Sequence, residues 1–218
     1  MTLTTLFGTF HEKKEYMGGN ALKNTKTRRY NKEEFSLLVE EMQSILKDQF
    51  EQFFVIQSWK TKESFGDMDV LIQPKNNQNV IDIIKNLFNP NEIFSNGNCD
   101  SFDYKEFQID FIKVSPENWE TSCVYFRYGD LGNLMGVISK YVLGVKYGHD
   151  GLSFKFIDEN SNQTYTEKCI SKNPKEIFEF LGFDWSIFDA GFDSLEDACE
   201  YFDIDVNKYI ETPENNEL

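Results

Sequence analysis

Two short apolar segments are each broken by aspartate on one side of a two-residue period. They are Phe65-Gly66-Asp67-Met68-Asp69-Val70-Leu71-Ile72 and Phe107-Gln108-Ile109-Asp110-Phe111-Ile112. Both predict strands, in which side chains alternate between faces. Asp67 and Asp69 then share one face, with Met68, Val70 and Ile72 on the other. In the second segment Phe107, Ile109 and Phe111 share a face and Asp110 lies opposite them. Laid side by side, the two strands bring three carboxylates onto one patch.

The rest of the pattern builds an α/β unit around these strands. Phe35, Leu38, Val39, Met42, Ile45 and Leu46 recur at helical spacing after Asn31, and Glu34 supplies the third position of a capping box. Phe53 to Ile56 reads as a buried strand, and Ser58 to Ser64 as a polar connection. A helix from about Val80 to Phe88 should stop at Asn89-Pro90. The polar stretch from Ser95 to Asp100 leads into a hairpin that ends in the strand from Phe107 to Lys113. After Ser115-Pro116 the pattern predicts a helix over 134–145, short strands over 152–157 and 164–169, and helical pieces over 174–181 and 194–202. Ser194 and Asp197 form a second capping box. A turn is expected near Tyr209, with a polar tail from Thr212. The division expected is a basic N-terminal arm (1–30), an α/β core (31–116) and a smaller, mostly helical C-terminal part (117–218).

Charge sharpens this division. The chain of 218 residues has a formal net charge of −15, yet residues 1–32 hold seven lysines and arginines against Glu12 and Glu15. From Pro174 onward thirteen acidic residues face only Lys175 and Lys208. An acidic bulk argues against a broad nucleic-acid surface, because neutralising phosphates takes Lys and Arg. A narrow basic groove at the arm remains compatible with it. With only His11 and His149, a histidine-rich zinc site or a Ser-His hydrolase is a poor fit. Cys99, Cys123, Cys169 and Cys199 are widely spaced, as expected of reduced core thiols. No run of eighteen apolar residues is present and the start does not read as a signal peptide, so no membrane span and a cytoplasmic setting (host cytoplasm for a viral protein) are expected.

Three carboxylates on one patch repel one another unless positive charge joins them. Hard divalent cations take carboxylate oxygens together with substrate phosphates, which points to phosphoryl transfer. Gly66, beside Asp67, leaves room for a phosphate to approach the backbone. In this arrangement the chain resembles the DNA polymerase β-like nucleotidyltransferases. Members of that superfamily carry a strand ending in Gly-Ser, then an Asp-hydrophobic-Asp strand, then a third acid on a later strand. Here Gln57-Ser58 precedes Asp67-Met68-Asp69, and Asp110 is the third acid; Gln57 stands where the family has glycine. The likeness covers residues 31 to 114.

The resemblance implies an α+β fold with a mixed sheet and flanking helices. It also implies Mg²⁺ or Mn²⁺ as cofactor, held by Asp67, Asp69 and Asp110, and a nucleoside triphosphate as substrate. Ser58 and nearby amides, with Lys60, Lys62 and Gly66, would hold the triphosphate. Met17-Gly18-Gly19-Asn20-Ala21-Leu22-Lys23, followed by Arg28, is similar to small phage and viral members. That likeness brings Arg28 into the nucleotide-binding set and makes the arm a place for an RNA or DNA 3′ end. Tyr125 to Asp130 could stack a base, although such aromatics more often belong to a core. The alternatives are an acidic interaction protein or nucleic-acid mimic, and an inactive nucleotidyltransferase scaffold.

Overall fold

The computed structural model of the chain describes residues 19–128, 131–156 and 166–203. The expected turn near Tyr209, the polar tail and residues 1–18 of the basic arm lie outside them. The first described elements are a two-residue strand, β1 (Tyr30–Asn31), and helix α1 (Lys32–Leu46). The helix starts where its capping signal lies: the Asn31 side chain accepts from the Glu34 N–H, and the Glu34 carboxylate accepts from the Asn31 N–H. Phe35, Leu38, Met42 and Leu46 form its buried face.

There follow β2 (Gln52–Val55), β3 (Ser64–Phe65), β4 (Asp67–Gln73), helix α2 (Val80–Phe88), β5 (Ile93–Asn96), β6 (Cys99–Tyr104) and β7 (Phe107–Lys113). The apolar segment at 65–72 is thus two strands broken at Gly66, with β3 pairing to β1 and β4 entering the main sheet. Helix α2 ends at Asn89, which adopts a left-handed conformation (φ 45°) immediately before Pro90. The five-stranded sheet has the order β2-β4-β7-β6-β5. Strands β4 and β7 run parallel, and every other neighbouring pair is antiparallel. Met68, Val70, Ile72, Phe102, Ile109 and Phe111 pack on one face against the buried residues of α1 and α2. The opposite face of β4 and β7 carries Asp67, Asp69, Gln108 and Asp110.

The C-terminal part has its own buried cluster, built on Tyr128, Leu131, Met135, Leu152, Ile177, Phe178, Phe188 and Phe192. Its elements are α3 (Trp119–Tyr125), α4 (Leu131–Ile138), β8 (Lys146–Gly148), β9 (Gly151–Phe156), β10 (Thr166–Ser171), α5 (Pro174–Leu181), α6 (Trp185–Ala190) and α7 (Leu195–Tyr201). Strands β8, β9 and β10 form an antiparallel sheet, and helices predominate around it. The helix expected over 134–145 is displaced: α4 is already formed at Leu131, loosens into a π turn over 139–143, and stops at left-handed Gly144. Its glycines act as contact points. A Cβ on Gly132 would fall 2.1 Å from the Tyr125 carbonyl oxygen, and one on Gly136 would fall 3.0 Å from that of Tyr147.

The two parts are fastened at Gln57. Its carbonyl accepts from the Tyr128 N–H (3.2 Å) and its Oε1 accepts from Arg127 Nε (3.1 Å). Trp59 stacks on Tyr128 with ring centroids 5.0 Å apart. Lys60 forms an ion pair with Asp193.

Candidate active site

The parallel register of β4 and β7 sets Asp69 directly beside Asp110, and Asp67 beside Gln108. Partners in register project to the same side of a sheet, so the three aspartates converge as the alternation of the sequence requires. All three are half-buried. Burial, reinforced by Asp67 and Asp110, raises the Asp69 carboxyl from 3.8 to about 8, with Lys62 acting against it. Burial and the charge of Asp67 raise Asp110 to about 6, against hydrogen bonds from Ser101 and Gln108. Two adjacent acids pushed this far upward mark a centre where negative charge is disfavoured unless a cation joins it.

Each outer acid turns toward a donor. Asp67 Oδ2 accepts from the Gly19 N–H at 2.8 Å, and both oxygens of Asp110 lie 3.0 Å from Gln108 Nε2. So arranged, no three His, Cys, Asp or Glu side chains among the described residues are gathered closely enough to hold an ion. The donor set still has the right chemistry for a hard divalent cation, which favours carboxylate oxygen. Carboxylates retain lone pairs after accepting one hydrogen bond, so these contacts leave coordination sites on Asp67 and Asp69.

Gly66 lies at the break between β3 and β4, in contact with the arm. Gly19 has φ +79°, and a Cβ there would fall 2.3 Å from the Gly66 carbonyl oxygen. From Gly19 the chain forms a strap: the Ala21 N–H reaches Gln108 Oε1 (2.9 Å), and the N–H groups of Lys23, Asn24 and Thr25 converge on the Glu92 carboxylate. The room expected at Gly66 for a phosphate is therefore shared with the strap's backbone. Gln108 is a site residue missed in the sequence, and Gly19, quoted there only within the arm's glycine motif, was not expected to contact Asp67. The signal for Gln108 was present, since it stands two positions before Asp110 and so shares its face.

Ser58, Lys60 and Lys62 line a cleft of about 930 Å³ on the α1 side of the β2 edge, together with Trp59, Arg127 and Tyr128. The three acids do not line it. Lys62 is the basic residue whose charge is felt at Asp69, and its Nζ lies 5.1 Å from the Phe65 ring centroid. Arg28 is turned elsewhere. Its guanidinium makes paired hydrogen bonds with Glu34 (2.8 and 3.2 Å) and lies 4.4 Å from the Tyr30 ring centroid. Arg29 donates to Ser64 Oγ and the Ser64 carbonyl. These two arginines tie the arm to α1 and β3. Tyr128 is buried in the C-terminal core, and the His149 ring stacks on Phe126.

No family model and no curated protein matches this chain. Among the described residues no helix is long and apolar enough to cross a membrane.

Proposed function

We propose that the chain is a metal-dependent nucleotidyltransferase, moving a nucleoside monophosphate from a nucleoside triphosphate to an acceptor hydroxyl with release of pyrophosphate. The observation that carries this reading is the parallel register of Asp69 with Asp110, with Asp67 on the same face. Asp67, Asp69 and Asp110 would hold Mg²⁺ or Mn²⁺. When bound, such ions neutralise the developing phosphate charge and lower the pKa of the attacking hydroxyl.

The acceptor oxygen bonds to the α-phosphorus as the α–β phosphoanhydride bond breaks, and the electron pair leaves with pyrophosphate. Asp110, in register beside Asp69, would help activate the acceptor hydroxyl, whose proton leaves to solvent. Lys62, whose charge reaches Asp69, would offset triphosphate charge, with Ser58 on the adjoining cleft wall. The remaining work is positioning, and no side chain becomes covalently attached. A nucleic-acid mimic would instead display its carboxylates to a basic partner. The half-buried setting of these three acids, with Asp67 held by the Gly19 N–H and Asp110 by Gln108, favours the enzyme reading.

The test is incubation with each α-labelled triphosphate, Mg²⁺ or Mn²⁺, and pooled RNA, DNA and protein acceptors. Divalent-dependent transfer of label, lost in Asp69→Asn, is expected. Absence of transfer to every pool, with binding of a basic partner in the absence of metal, would favour the mimic.

A further inference from the structure

We propose that Gln108 is a positioning residue that sets the Asp110 carboxylate and ties it to the strap of residues 19–25. This rests on the metal-dependent reading of the three aspartates. Gln108 is 1% exposed and stands beside Asp67 in register, two positions before Asp110 on the same face of β7. A buried primary amide must satisfy both its carbonyl and its NH₂ group. The main chain decides which end goes where. Oε1 accepts from the Ala21 N–H at 2.9 Å, and a backbone N–H can only donate. Nε2 is thereby directed at Asp110, 3.0 Å from each carboxylate oxygen. Flipping the amide would set its NH₂ against the Ala21 N–H and its oxygen against a carboxylate, so one orientation is enforced.

The strap's own seat is fixed at both sides of this contact. Gly19 is held by Asp67 Oδ2 and by its fit against Gly66. Beyond Ala21, Glu92 gathers three consecutive main-chain N–H groups. Ala21 is thus a fixed point, and Gln108 transmits its position to the third acid. In the same stroke the strap touches Asp67 directly and Asp110 through one side chain. Partners of this kind orient ligating carboxylates, and losing one typically costs about 10- to 100-fold in metal affinity.

The experiment is Mn²⁺ titration of the full chain without nucleotide, for wild type, Gln108→Met, Gln108→Asn and Asp69→Asn. Methionine fills a similar volume without an amide, and asparagine keeps the amide but is one carbon too short to span from Ala21 to Asp110. Mn²⁺ affinity should fall about tenfold or more in both Gln108 variants. The apparent KM for Mg²⁺ should rise by a similar factor, with most of kcat recovered at saturating Mg²⁺. A role confined to packing would lower the melting temperature and leave Mn²⁺ affinity alone. If Gln108→Met does not fold, Gln108→Asn carries the measurement. Wild-type Mn²⁺ affinity in a folded Gln108 variant would overturn the proposal. Failure of the wild type itself to bind Mn²⁺ would overturn the metal-dependent reading, and this inference with it.

Discussion

Replacing Asp69 by asparagine should make the metal-free protein more stable. Asp69 ionises at 3.8 in an unconstrained chain and at about 8 when folded, because burial and the charges of Asp67 and Asp110 oppose its ionisation. An acid with a raised folded pKa binds its proton more tightly in the native state. Native stability therefore falls as pH rises from about 4 toward 8, and levels off above 8. At pH 7 the forgone ionisation corresponds to about 4 kcal/mol, from 1.36 kcal/mol per pH unit. Water reaching the half-open face screens part of this charge, so a gain of about 2 kcal/mol is the expected net for an uncharged amide of the same shape. For a chain of this size that is a rise in melting temperature of about 4–8 °C. The assay is thermal and urea denaturation of wild type and Asp69→Asn in chelator, at pH 5 and at pH 8. The gap between the two proteins should widen as pH rises across this window. A variant less stable than wild type at pH 8, or a gap of the same size at both pH values, would refute the electrostatic argument.

Three further outcomes are expected. Asp110→Ala should lose turnover while retaining Mg²⁺-triphosphate binding through Asp67 and Asp69, as read by calorimetric titration; loss of all nucleotide binding would mean the roles are divided differently. Gly19→Ala should cost about 1–3 kcal/mol by denaturation, because residue 19 has positive φ and a Cβ there would meet the Gly66 carbonyl; an unchanged stability would mean the strap does not sit as described. Arg28→Gln and Arg29→Gln should lower thermal stability and leave the KM of both substrates unchanged, since these arginines are turned to Glu34 and Ser64. A raised acceptor KM with a flatter salt dependence would instead assign them to docking a polyanion.

Much of the N-terminal half was legible because local signals agreed with burial. The Asn31–Glu34 capping box, the helical spacing from Phe35 to Leu46 and the Asn89-Pro90 stop each mark an element where the structure has one. Period-two alternation put Asp67, Asp69 and Asp110 on the faces they occupy. What alternation cannot convey is register. Whether Asp69 meets Asp110 or a neighbour depends on long-range pairing of β4 with β7, which leaves no local trace. The strap was illegible for a related reason. Its contacts are main-chain N–H groups reaching Asp67, Gln108 and Glu92, which are distant in sequence. Read as part of a basic arm, it suggested a surface for polyanions, whereas the arm's Arg28 and Arg29 are engaged with Glu34 and Ser64. In the C-terminal part, Gly132 and Gly136 are sites of close packing inside a helical stretch, a role that depends on Tyr125 and Tyr147 and leaves no local signal. Helices α3 and α6 are too short to show a period. Gln57, a departure from the glycine of the nucleotidyltransferase pattern, accepts hydrogen bonds from Arg127 and Tyr128.

The most direct measurement is equilibrium binding of a nucleoside triphosphate to the wild-type chain with and without Mg²⁺, beside Asp69→Asn. It needs no knowledge of the acceptor. Binding that requires the divalent ion, and that weakens by tenfold or more in Asp69→Asn while the variant stays folded, is the predicted result. Equal binding in chelator and in Mg²⁺, or no binding of any triphosphate in either, would contradict the account.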